Sequence, residues 1–86
     1  MQYLVVTDYD ERGWDNLERV LDKLRAADAL GAIEEMEPVT TPKGAKRETK
    51  RIAFDDAKVR NTHAHGWASN AGYVAHLDHT GHWYTR

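Results

Sequence analysis

Between Trp14 and Leu30 (WDNLERVLDKLRAADAL) apolar residues recur at spacings of three and four. Trp14, Leu17, Val20, Leu21, Leu24 and Ala27 fall on one side of a helix, and Asp15, Glu18, Arg19, Asp22, Lys23 and Arg25 fill the rest. Asp15 with Glu18 three residues on reads as a capping box in which Asp replaces Ser or Thr. Gly31 reads as the left-handed residue that ends the helix. Ahead of it, Tyr3, Leu4, Val5, Val6 and Thr7 form an apolar, β-branched run, the pattern of a strand buried on both faces and therefore central in its sheet. Asp8 to Gly13 is a polar loop whose three carboxylates could bind a cation or sit at the positive end of the following helix, the second being the less costly arrangement.

Beyond Gly31, residues Ala32 to Thr41 predict a second strand, with Ile33, Met36 and Val39 as its apolar members and Pro38 arguing for an edge or a bulge. Thr41 to Ala45 is turn chemistry, and Arg47 to Phe54 should return antiparallel. In that pairing Glu34, Glu35 and Glu37 oppose Lys46, Arg47, Lys50 and Arg51, so the basic cluster has cross-strand partners. Asp55 to Gly72 reads as irregular with one short element: a helical turn after Asp55, or a strand over Lys58 to His63. Tyr73 to Leu77 and His82 to Thr85 flank Asp78-His79-Thr80-Gly81, the pattern of a type I turn closed by a glycine bulge. The hairpin would bury Tyr73, Ala75, Leu77 and Trp83 and turn Val74, His76, Asp78, His82 and Tyr84 the other way. These elements predict an α+β fold over residues 1–86 as one domain. One long amphipathic helix packs on an antiparallel sheet of four to five strands, in the order β-α-β-β-short element-β-β.

Length and composition narrow the function classes. A chain of 86 residues has room for one core, and without cysteine it has no disulfide, thiolate metal site or cysteine nucleophile. The opening MQYLVVTDYD lacks the basic and apolar regions of a signal peptide and no apolar run approaches a membrane span, so a complete cytoplasmic protein starting at Met1 is expected. The net charge of −2 hides an asymmetry: residues 1–42 carry ten acidic and four basic groups, residues 43–86 four acidic and eight basic. Such halves either neutralise each other across the fold or make a dipolar surface that steers a charged partner.

Candidate chemistry is sparse. All five histidines lie in the last 24 residues, and the expected hairpin would gather His76, Asp78 and His82 on one face, a set suited to a metal or to acid–base work. The spacing matches no known metal-ligand pattern, and an ordinary polar strand face accounts for it; no metal or other cofactor is expected. Ser69 is the only serine and has no nucleophile elbow around it, and no phosphate-cradling or dinucleotide motif is present. Lys46, Arg47, Lys50 and Arg51 could contact phosphates, but no aromatic residue is interleaved among them. Trp67, in the irregular segment, is either an interface anchor or packed onto its own sheet.

The stretch YLVVTDYD followed by a helix from Trp14 resembles the first β-α unit of small ferredoxin-like endoribonucleases of the CRISPR-adaptation kind. The resemblance spans under half the chain and implies a metal-ligand role for the acidic residue that closes the first strand, Asp8. The second half of this sequence shows no clear second helix, so the fold is expected to depart from that family there.

The residues themselves favour a non-enzymatic protein-binding module, an inhibitor or regulator of the kind phages and mobile elements carry. Its acidic surface, formed by Asp8, Asp10, Glu11, Asp15, Glu18 and Asp22, would meet a larger protein with a basic, nucleic-acid-binding groove, with Trp67 as a candidate anchor. The alternative is a small metal- or nucleic-acid-dependent binder or nuclease built on the histidine-rich hairpin.

Overall fold

The computed structural model describes residues 1–78. A four-stranded antiparallel sheet has the order β2-β5-β1-β6, with β1 Gln2–Thr7, β2 Leu30–Glu35, β5 Thr49–Phe54 and β6 Val74–Asp78. Two helices, α1 Leu17–Ala26 and α2 Asn61–Asn70, pack on one face of it, and a short ribbon of β3 Val39–Thr40 and β4 Lys46–Arg47 extends from the β2–β5 hairpin. The connectivity β-α-β-β-α-β, with the ribbon inserted in the hairpin, is the split βαβ arrangement of ferredoxin-like folds.

β1 lies inside the sheet, as its unbroken apolar run requires. Leu4 pairs with Ile52 on one side and Leu77 on the other, and Val6 pairs with Lys50 and Ala75. Leu4, Val6, Ile52 and Phe54 join Leu17, Val20, Leu21 and Leu24 of α1 and Ala64 and Ala68 of α2 in one hydrophobic core. Tyr3, Val5 and Thr7 point to the opposite face, because successive side chains of a strand alternate. Thr7 pairs with Thr49 there, their hydroxyl oxygens 3.2 Å apart.

The helical layer differs from the expectation of one long helix: two helices of ten residues each share it. Trp14, Asp15 and Asn16 form a tight turn instead of a first helical turn, their carbonyls accepting N–H groups of Leu17, Glu18 and Arg19 at 3.0, 3.2 and 3.3 Å. The cap position falls on Asn16, with no side-chain cap bond, so the capping box expected at Asp15 is not formed. The stop is Asp28, not Gly31. Asp28 takes φ 55°, Ala29 N–H donates to Leu24 O at 2.8 Å and Asp28 N–H to Arg25 O at 2.9 Å, the paired bonds of a Schellman motif. Gly31 sits in β2 for another reason: a Cβ built there would lie 3.0 Å from the Ala53 Cβ.

The expected long hairpin is real but interrupted. Glu34 pairs with Arg51 and Glu35 with Lys50, in the register that matches opposite charges, while the β2–β5 register shifts between Leu30 and Ile33. Residues 36–38 and Glu48 break the two strands, and Pro38, which has no N–H for a ladder, stands in the first gap. The segment expected to be irregular holds α2, which buries Ala64 and Ala68. β6 turns Ala75 and Leu77 toward the core and leaves Val74 and His76 exposed, as the alternation requires, but Asp78 is buried. The turn after Asp78 and the strand expected at His82 to Thr85 lie outside the described residues. No helix of the described chain is long and apolar enough to cross a membrane.

Candidate functional site

At the end of β1 the chain leaves the sheet through Asp8, and this carboxylate organises the loop into α1. Asp8 is buried; Oδ1 accepts the N–H of Arg12 at 2.9 Å and Oδ2 that of Gly13 at 2.7 Å, folding residues 8–13 back on themselves. The fold demands positive φ at Glu11 (54°) and Gly13 (80°). Only the second is free of steric cost, since glycine lacks a Cβ.

The loop is held from outside as well. Asp8 N–H donates to Glu48 O at 3.0 Å, and Arg47 Nε donates to Tyr9 O at 2.9 Å, so the turn between β4 and β5 grips it from one side. From the other side the Tyr73 hydroxyl donates to Gly13 O at 2.7 Å, and burial pushes that phenol above its ordinary pKa. The Trp14 indole stacks on the Tyr73 ring with centroids 5.2 Å apart, donates to Glu48 Oε1 at 2.9 Å, and carries Lys50 Nζ 4.9 Å from its centre. Gly72, at φ 99°, leaves room for Arg12, whose Nε would otherwise lie 2.6 Å from a Cβ. Between loop and ribbon is a cavity of about 250 Å³ lined by Asp8, Glu11, Gly13, Lys46, Arg47 and Glu48.

The acidic residues singled out in the sequence do not form one equivalent cluster. Asp8 is inside, engaged by backbone donors. Asp10, Glu11, Asp15, Glu18 and Asp22 are exposed along the loop and one side of α1. Asp10 lies 3.4 Å from Arg12, and Glu11 3.7 Å from Arg47. Glu18 and Asp22 share Arg25 at 3.7 and 2.7 Å. Each is an exposed pair of the kind worth ~0–1 kcal/mol. Trp67 is neither a loop residue nor fully exposed: it lies on α2, half-buried against the core, with Lys23 Nζ 5.4 Å from its ring centre.

The basic cluster is largely engaged. Arg51 Nε donates to Glu34 at 2.9 Å, Lys50 pairs with Glu35 at 3.3 Å, and Arg47 is held by the loop. With Lys58 paired to Asp28 at 3.0 Å, these contacts join part of the basic second half to the acidic first half, while Asp10, Glu18 and Asp22 pair only within the first half. His76 lies on β6 opposite Val5, His65 Nε2 is 2.8 Å from Ala75 O, and His82 lies outside the described residues. Among the described residues no three histidine or acidic side chains form a metal-holding group.

Compared with protein-family models, curated proteins and solved structures, the chain matches none.

Proposed function

We propose that this chain is a small non-enzymatic protein-binding module that presents the acidic β1–α1 loop and the adjoining side of α1 to a basic surface on a larger, nucleic-acid-binding protein. The observation that carries this reading is the bracing of the loop. A mere connection between strand and helix has no need of a buried carboxylate, a tyrosine hydroxyl from far along the chain and an arginine from the ribbon to fix it. What the bracing holds toward solvent is Asp10, Glu11 and Asp15, continued on α1 by Glu18 and Asp22. A fixed loop lowers the ordering cost of association. The ion pairs that the exposed carboxylates make within the chain are weak enough to exchange for a partner's lysines and arginines.

The test is capture of partners from lysate at low and high salt, comparing the parent with a variant in which Asp10, Glu11 and Asp15 are all lysine. A partner held by the parent, released by salt and not captured by the variant supports the reading. Equal capture by both chains at low salt refutes it. Melting temperatures of the two confirm that the fold is retained.

A further inference from the structure

We infer that the seam between α1 and α2 is a second interaction surface, one that binds single-stranded nucleic acid. The two sides of α1 differ. Glu18 and Asp22 line one side, where both pair with Arg25, whereas Lys23 reaches toward α2 over the Trp67 ring, with Arg19, four residues and one turn before it, on the solvent side of the helix. Arg19 and Lys23 have no ion-pair partner among the described residues. The facing helix supplies none: from Ala57 to Leu77 the sequence contains no Asp or Glu. Arg60, at the cap of α2, adds a third cation to this acid-free stretch.

The surface is aromatic as well as basic. His63 and Trp67, also four apart, stack with ring centroids 6.3 Å apart, and Lys23 lies over the Trp67 ring. Trp67 is anchored against the core and carries Lys23 over its ring, while His63 is the exposed ring of the pair. Cations that track phosphates beside aromatic rings that receive bases are what single strands need. An acidic protein segment would use the cations but has no use for the rings, so the nucleic acid is the occupant this seam fits. The basic cluster of β4 and β5 is a poorer candidate, because Arg47, Lys50 and Arg51 are held by Tyr9, Glu35 and Glu34.

Binding of labelled oligo-deoxythymidine is measured by fluorescence anisotropy across a salt series. The full chain is expected to bind with an affinity that falls as salt rises. In R19Q/K23Q the slope of log K against log salt should shrink by about 1.4, and affinity should drop by roughly ten-fold per cation at about 50 mM salt. K43Q/K46Q, on the ribbon, should behave as the parent. Failure of the parent to bind, an unchanged slope in R19Q/K23Q, or equal affinity for poly-glutamate of the same length would each overturn the assignment. Arg19 and Lys23 are exposed, and equal melting temperatures show that the fold is kept; should the double variant melt early, R19Q and K23Q are read singly, each with about 0.7 lost from the slope.

Discussion

The Tyr73 hydroxyl donates to the carbonyl oxygen of Gly13 at 2.7 Å, joining the entry of the edge strand β6 to the loop that leaves the central strand β1. Trp14, one residue after Gly13, stacks on the same ring. The loop and the C-terminal part of the sheet are thereby one unit, although sixty residues separate them in sequence.

Tyr73→Phe keeps the stacking and removes only the hydroxyl, so it should cost about 0.5–1.5 kcal/mol in urea denaturation. It should also change the alkaline limb of stability. Burial raises the folded-state pKa of Tyr73 above its ordinary value of 10.0, so the folded chain holds the proton more tightly than the unfolded one. That contribution is complete below the unfolded pKa and is lost as pH rises through the folded pKa. The parent should therefore lose stability on the alkaline side, and Tyr73→Phe should lose less of it. Identical alkaline profiles for the two chains would show that the phenol does not titrate with unfolding.

Asp8 accepts two backbone N–H groups, and its removal strands both. Asp8→Ala should cost roughly 1.5–3 kcal/mol, the range for hydrogen bonds to a charged group. Asp8→Asn should recover part of this, because its single carbonyl oxygen can take one of the two donors. Amide exchange checks the cause: Arg12 and Gly13 should exchange faster in Asp8→Ala, while the core strand amides slow or quicken only with global stability. Normal protection at those two positions would mean that other contacts hold the loop.

Leu24 is fully buried and Leu21 nearly so, on the face of α1 that meets the sheet. Truncation of either to Ala should cost ~2–5 kcal/mol, a large part of what so small a domain has. The exposed Glu18, changed to Ala, should stay within about 0.5 kcal/mol of the parent. The contrast in melting temperature tests which side of α1 is inside.

Legibility in the sequence tracks the size and shape of side chains. The inner face of α1 is written in Leu17, Val20, Leu21 and Leu24, large residues set among charges, and β1 is written in a β-branched run. The charge-matched register of Glu34 with Arg51 and Glu35 with Lys50 is likewise legible. Helix α2 is not, because its buried stripe is two alanines among His, Gly, Ser and Asn, residues of weak helical preference. Packing onto the sheet makes it a helix, and packing is a tertiary fact. The resemblance in the first β-α unit carries an expected departure at this point, for want of a clear second helix, and α2 stands there instead. At the site, Asp8 stands out as the acid closing β1, but its engagement by Arg12 and Gly13 and the brace from Tyr73 depend on how the chain returns.

The end of α1 gives the sharpest disagreement between pattern and structure, and it can be tested by exchange of side chains. The pattern puts glycine at the left-handed position, yet Asp28 occupies it at φ 55°, and Gly31 serves a close strand contact three residues later. Aspartate tolerates this conformation better than most residues, but glycine tolerates it without steric cost. Asp28→Gly should therefore melt at or slightly above the parent, the relief of backbone strain outweighing the exposed contact with Lys58 at 3.0 Å. Asp28→Val should melt lower, since a β-branched residue is a genuine outlier at positive φ. Gly31→Val should be worse, because its Cβ would start 3.0 Å from the Ala53 Cβ and 3.1 Å from the Ala53 carbonyl oxygen in a strand that cannot recede without losing its ladder. If Asp28→Val melted like the parent while Asp28→Gly unfolded early, the helix would not end in a left-handed residue at Asp28.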